Sequence, residues 1–180
     1  MSLSALLQNI ADAEQGPKTC AVFDFDGTII SGYSATAFLK DQIARGEISP
    51  ADLVQLTQAA TRFGIGSLGF SALMAVHAQY LAGRSEADYV ANSERLFRRA
   101  IAKLIYPEAR QLIEAHRAAG HSIAIISSAT PYQVLPAARD LCIEHVYATD
   151  LEVEDGQFTG SVVQPTCFGI GKVHAAERFT

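Results

Sequence analysis

Thr19-Cys20-Ala21-Val22-Phe23 is a short apolar run, partly β-branched, that stops abruptly at Asp24-Phe25-Asp26-Gly27-Thr28. An apolar run of this length with turn residues behind it reads as a buried strand. Side chains two apart on extended chain point to the same side, so the end of this strand presents the Asp24 and Asp26 carboxylates together. Gly27 then lets the backbone turn away sharply. From about 33 to 105 no convincing strand follows, and after Tyr106 helix and strand alternate. Strand–helix–strand alternation on both sides of a helical block specifies an α/β fold with an inserted helical cap. Ligands of such sheets bind beyond the carboxyl ends of the strands, where the two aspartates lie.

The remaining elements follow from periodicity and caps. Leu3, Leu6, Leu7 and Ile10 have helical spacing that ends before Gly16-Pro17. Ser49-Pro50-Ala51-Asp52 supplies a cap, a first-turn proline and an acidic first turn, and predicts a helix whose apolar face is Leu53, Val54, Thr57, Ala60 and Phe63. A second helix is expected over 70–82, ending at Gly83. Ser85-Glu86-Ala87-Asp88 opens a third, with Tyr89, Val90, Leu96, Phe97, Ala100 and Leu104 as its stripe. The block thus holds three or four helices. Pro107 starts a helix carrying Ala109, Leu112, Ile113, His116 and Ala119, and Gly120 suits its C-terminal end. Ile123-Ala124-Ile125-Ile126 reads as a parallel strand closed by Ser127-Ser128-Ala129-Thr130. A helix over 131–140, a strand over 144–148, a hairpin over 151–163 turning at Asp155-Gly156 and a helix from near Gly171 complete the chain.

Composition excludes several functions. The chain of 180 residues is 49% hydrophobic and 18% charged, enough to build a core. A net charge of −5 disfavours a nucleic-acid-binding role. Cys20, Cys142 and Cys167 are scattered, so neither a disulfide framework nor a zinc knuckle is expected. The N-terminus carries Asp12 and Glu14 in place of a basic-then-apolar leader, and no apolar run approaches the ~20 residues of a membrane span. A reducing, cytoplasmic setting is the expectation.

Two adjacent carboxylates repel each other, which raises one pKa or demands a cation, and oxygen donors suit Mg²⁺. Taken alone, DxDG also fits a solvated turn, Ser127 a cap for the following helix, and Lys172 a solvated charge at a helix start. Asp150, Glu152, Glu154 and Asp155 read as the solvated edge and tip of the hairpin. None of His77, His116, His121, His145 and His174 pairs with a convincing nucleophile, so packing or surface roles are expected.

Taken together, the strand running into Asp24-Phe25-Asp26-Gly27-Thr28, a second strand ending at Ser127, and Lys172 at a helix start resemble the haloacid dehalogenase-like phosphohydrolase superfamily. Tyr106-Pro107-Glu108-Ala109-Arg110, Ile126-Ser127-Ser128-Ala129 and Thr166-Cys167-Phe168-Gly169-Ile170-Gly171-Lys172 are similar to its phosphoserine phosphatase-like branch, subfamily IB. The resemblance implies a three-layer α/β/α, Rossmann-like parallel sheet, with residues 1–32 and 106–180 as core and 33–105 as helical cap. It implies hydrolysis of a small phosphorylated metabolite through an aspartyl-phosphate formed on Asp24. Asp26 would be the acid and base, and Ser127 and Lys172 the phosphate ligands. Main-chain N–H groups near Phe25, Asp26 and Ser128 would complete the cradle. Mg²⁺ would lie on the Asp24 carboxylate and the Asp26 main-chain carbonyl.

Two departures modify this. The superfamily's fourth, acidic motif and the strand beside the first one have no counterpart before Thr180. That leads one to expect a fragment, with weak Mg²⁺ binding, little or no phosphatase activity from residues 1–180 alone, and self-association through the incomplete sheet edge or cover of that edge by the N-terminal helix. By spacing, Tyr33 stands where phosphoserine-specific relatives carry a Glu, so phosphoserine is not the expected substrate. The competing readings are a non-catalytic phosphatase-like module of a larger protein, such as a phosphatase–acyltransferase fusion, and a phosphoreceiver-type signalling domain. The latter has no use for the long helical insert.

Overall fold

In the computed structural model, which describes residues 2–180, three parallel strands form the sheet: β1 (Cys20–Phe23), β2 (Ser122–Ile126) and β3 (His145–Tyr147), in the order β1-β2-β3. Phe23 is level with Ile125, and Ile126 with Tyr147. The carboxyl ends of β1 and β2 therefore finish side by side, which brings Asp24 next to Ser127. Helix α1 (Leu3–Asp12) packs against α6 (Pro107–Ala118), on the side where Phe23 meets the His116 ring edge-on at 6.0 Å. Helix α7 (Pro131–Asp140) packs on β3, and α8 (Ile170–Phe179) packs on β2. β1 lies at one edge of the sheet, and its Val22 is 49% exposed.

Between β1 and α6 lie α2 (Ser34–Ala44), α3 (Pro50–Gly64), α4 (Phe70–Leu81) and α5 (Glu86–Leu96). The last runs on into a π-helical turn, Phe97–Ile101, and a 3₁₀ turn, Ala102–Leu104. Ser49 and Ser85 cap α3 and α5 as expected, accepting hydrogen bonds from the amides of Asp52 and Asp88. The apolar face of α3 is turned from the expected one. Val54 is 54% exposed and Thr57 and Ala60 also face solvent, whereas Ala59 is buried with Leu56 and Phe63 beside it. α3 packs mainly against α4, with Phe63 also meeting Phe168, and the covered side runs through Leu53, Leu56, Ala59 and Phe63. Val90 is likewise exposed, while Tyr89, Leu96 and Phe97 are buried.

The hairpin forms as read, from β4 (Leu151–Glu154) and β5 (Gln157–Val162). Asp155 and Gly156 both have left-handed φ, +49° and +76°, as a two-residue turn matched to strand twist requires. The helical segment is tied to this hairpin through backbone. Gly83 N donates to Phe158 O, Phe158 N to Arg84 O, and Glu86 N to Gly156 O, at 2.8–3.0 Å. One apolar cluster runs through all these parts, from Phe25, Ile113, Ile125 and Val134 to Leu81, Tyr89, Ile101 and Phe158. No helix among the described residues is long and apolar enough to cross a membrane.

Candidate active site

Asp24 follows β1 directly. Its Oδ1 accepts from the Phe25 amide at 2.8 Å and lies 3.0 Å from the Lys172 Nζ. Behind it the backbone folds tightly: the Phe25 carbonyl takes the amides of Thr28, Ile29 and Ile30, at 2.9–3.3 Å, and Gly27 turns at φ +74°. Phe25, Ile29 and Ile30 are all fully buried, so the turn is anchored by apolar packing, while Asp24 and Asp26 are both half-buried.

That turn aims Asp26 at the start of α2. Its Oδ1 accepts from the Ser34 amide at 2.7 Å, and its Oδ2 accepts from the Ser34 hydroxyl at 3.1 Å. Burial pushes the Asp26 carboxyl above the ordinary carboxylate value, and the charge of Asp24 adds to the rise. The Ser34 hydrogen bonds and Lys172 pull the other way.

Ser127 stands at the end of β2 and is 1% exposed. Its amide donates to the Tyr147 carbonyl at 2.9 Å, and its Oγ accepts from the Ala129 amide at 3.1 Å. This bond lies within the loop, and the cap of the following helix is Thr130, not Ser127. A hydroxyl that accepts one bond still has its own proton to give, so this bond and anion binding are compatible. Ser128 beside it is partly exposed. Cys167 shows that these pieces converge. Burial raises its thiol pKa, against the opposing pull of the Lys172 charge, and its Sγ donates to the Tyr147 carbonyl at 3.7 Å, the same carbonyl that takes the Ser127 amide. Lys172 reaches the site because Gly169, Phe168 and Thr166 form a close turn ahead of α8, with Gly171 N donating to Phe168 O and Phe168 N to Thr166 O.

The helical segment meets this turn from above. Phe70, at the start of α4, stacks on Phe168 at 4.5 Å between centroids, with Phe63 edge-on to both rings. The Ser71 and Thr166 hydroxyls are 3.1 Å apart. A cavity of about 480 Å³ lies elsewhere, beside the Ser31–Tyr33 linker, and is lined by Tyr33, Lys40, Asp41 and Arg99 rather than by the paired acids. Cavity size would therefore have pointed away from the acid pair.

The other candidates take the structural roles expected of them. Glu152, Glu154 and Asp155 are exposed on the hairpin, and Asp150 is exposed at its base. His116 and His121 are joined Nδ1 to Nδ1 at 2.8 Å, His77 sits within α4, and His145 and His174 are exposed. Among the described residues no three His, Cys, Asp or Glu side chains converge as a metal site. The oxygen donors that would suit Mg²⁺, were it bound, are the Asp24 carboxylate and the Asp26 main-chain carbonyl. Two residues at the site were not singled out by sequence reasoning. Ser34 holds Asp26, and Gln133 reaches Ser34 from α7. Ser34 lies only 8 residues beyond Asp26 and Gln133 has a local place in the Thr130 capping box, but the Gln133–Ser34 bond spans 99 positions and has no local sequence signal.

A family model described as haloacid dehalogenase-like hydrolase matches residues 21–180. The chain is 34% identical over 160 residues to "Phosphoserine phosphatase SerB1" of Mycobacterium tuberculosis (strain ATCC 25618 / H37Rv), covering 86% of this chain and 52% of that protein. It is 32% identical to "Putative hydrolase ML2424" of Mycobacterium leprae (strain TN), covering 86% and 53%. A solved structure of a protein with unknown function from Bordetella pertussis Tohama I superimposes with a TM-score of 0.81 at 25% identity, over 89% of this chain and 74% of that one. The chain spans about half the length of these two curated relatives.

Proposed function

The chain belongs to the haloacid dehalogenase-like hydrolase family, and from that premise we propose that it is a phosphomonoester hydrolase working through an aspartyl-phosphate on Asp24. The observation that carries this reading is the 3.0 Å contact of Lys172 Nζ with Asp24 Oδ1, beside a second carboxylate whose proton affinity burial has raised. A carboxylate held by an ammonium keeps its charge for attack, and a neighbouring acid of raised pKa can carry the proton that the leaving group needs.

In the first step an Asp24 oxygen forms a bond to phosphorus while the ester P–O bond breaks. Asp26 delivers its proton to the departing alkoxide. In the second step water attacks the acyl phosphate, Asp26 takes the proton of that water, and phosphate leaves with Asp24 restored. Lys172 and the Ser127 hydroxyl hold phosphoryl oxygens, and the amides near Phe25, Asp26 and Ser128 add neutral donors. The Asp24 carboxylate and the Asp26 main-chain carbonyl would hold Mg²⁺, which supplies charge neutralisation between nucleophile and phosphate. Residues 33–105 would act as the cap over residues 1–32 and 106–180. The two linkers between these parts run side by side, joined by a backbone bridge of Ile30 with Ile105. The substrate we infer is a small phosphorylated metabolite. Tyr33, 71% exposed, offers no carboxylate for a substrate ammonium.

Hydrolysis of p-nitrophenyl phosphate, with and without Mg²⁺, tests the reading on wild type and Asp24→Asn. The variant should fold normally by circular dichroism and lose all turnover, because an amide cannot replace the attacking carboxylate. Unchanged turnover in Asp24→Asn refutes the covalent route.

A further inference from the structure

The buried groups behind Asp26 form a hydrogen-bonded chain whose polarity can be worked out atom by atom. The Thr130 amide, a donor that cannot be reversed, gives its hydrogen to Gln133 Oε1 at 2.8 Å, and the Thr130 hydroxyl reaches the same oxygen at 2.9 Å. With Oε1 so occupied, the amide nitrogen of Gln133 must face the other way, and its Nε2 lies 3.0 Å from Ser34 Oγ. Ser34 Oγ is therefore an acceptor toward Gln133. Its single proton is left to point at Asp26 Oδ2, 3.1 Å away, while the Ser34 amide takes Oδ1.

Ser34 and Thr130 are 0% exposed and Gln133 is 7% exposed, so water does not compete for these bonds. Reversing any one of them would leave a buried donor or acceptor unpaired. The chain also joins two parts of the fold. Thr130 closes the loop that begins at Ser127 and caps α7, whereas Ser34 opens α2, the first helix after Asp26.

We propose that Gln133 is a positioning residue for the hydrolytic reaction, holding the Asp26 carboxylate through Ser34 in register with the Ser127–Thr130 loop. The inference rests on the reading of Asp26 as proton donor to the leaving group. Gln133 touches neither substrate nor reacting atoms. It fixes the Ser34 rotamer, and Ser34 fixes the rotation of the carboxylate.

Gln133→Glu separates this role from helix capping. Glutamate keeps the acceptor oxygen that Thr130 uses, and Glu suits the third position of a capping box as well as Gln does. It loses the N–H that Ser34 receives. The measurement is kcat/KM on two phosphates, one with a leaving group that needs a proton (glycerol 1-phosphate) and one that does not (2,4-dinitrophenyl phosphate), for wild type, Gln133→Glu, Gln133→Ala and Ser34→Ala. The last tests the link itself, since it keeps the Ser34 amide and removes only the hydroxyl. Misplacing a proton donor should lower kcat/KM on the alkyl phosphate by roughly 10²-fold and on the dinitrophenyl ester by less than about 3-fold. Equal losses on both substrates in Gln133→Glu, or no loss on either, overturn the proposal. So does a selective loss in Gln133→Ala that Gln133→Glu does not share, because that places the effect in capping. A wild-type protein without activity on either ester overturns the proposed function and this inference together, whereas an active wild type with an unaffected Gln133→Glu overturns this inference alone.

Discussion

Gly171 sits in the first turn of α8, one residue before Lys172, and a methyl group there has nowhere to go. A Cβ built on its backbone lies 1.9 Å from the Thr166 carbonyl oxygen and 3.0 Å from its carbon, whereas real Cβ contacts stay above 3.0 Å. Gly171→Ala must therefore move the helix start and Thr166 apart by roughly 1 Å, a distance at which misplaced catalytic groups cost about 10²-fold. Thr166 has little room to yield. It is 6% exposed, its carbonyl already accepts the Phe168 amide at 2.8 Å, and its hydroxyl meets Ser71 at 3.1 Å. The strain falls on α8, and with it on the 3.0 Å contact of Lys172 with Asp24. Overpacking of this kind costs about 2 kcal/mol, which in a domain of this size lowers Tm by roughly 4–8 °C. Scanning calorimetry and kcat on p-nitrophenyl phosphate measure both effects. Gly64→Ala is the control, since its Cβ meets nothing within 4 Å and the helix end should tolerate it. A Gly171→Ala protein with wild-type Tm and kcat refutes the reasoning, because the turn would then have absorbed the methyl at no cost to Lys172.

Two further outcomes are expected. Burial pushes the His77 imidazole down to about 4, so the folded state favours its neutral form. Its contribution to stability is complete above the ordinary value of 6.5 and is lost as pH falls toward 4; urea midpoints between pH 7.5 and pH 4.5, pH values set by the experimenter about that 6.5, should fall more steeply for wild type than for His77→Leu, and parallel slopes would contradict this. On α3, Val54→Ser should change stability by less than about 0.5 kcal/mol, whereas Ala59→Leu, at 5% exposure, should cost about 1–3 kcal/mol in denaturant unfolding; the reverse order would restore the face read from periodicity.

Much of the architecture is local and was legible in the amino-acid order. Cys20–Phe23 forms a strand because its apolar, partly β-branched residues favour extended chain, although Val22 at the sheet edge stays exposed, and Gly27 follows because the next bend needs a left-handed φ of +74°. Helix α7 spans Pro131–Asp140 as read, with Thr130 as its cap. Asp155-Gly156 turns the hairpin for an equally local reason. Helix α2 escaped notice because its N-cap, Tyr33, makes no side-chain cap hydrogen bond, and the π-helical turn Phe97–Ile101 because no sequence rule separates it from the α-helix before it.

The site divides in the same way. The pairing of Asp24 and Asp26 was read from strand alternation, whereas β1 ends at Phe23 and a tight turn carries both acids; the family resemblance drew Ser127 and Lys172 to them. Only the assembled fold decided that Ser34 grips both oxygens of Asp26, that Gln133 grips Ser34, and that Cys167 bonds the Tyr147 carbonyl and the Thr149 hydroxyl. It also decided which side of α3 is covered, turning Ala59 inward and Val54 out. Caps, turns and hydrophobic periods are written in neighbouring residues because their energies act over one or two helical turns. A hydrogen bond between Gln133 and Ser34 depends instead on where α2 and α7 come to rest, and that is set by the apolar cluster shared by the sheet, the helical segment and the hairpin, which no single stretch of the chain contains.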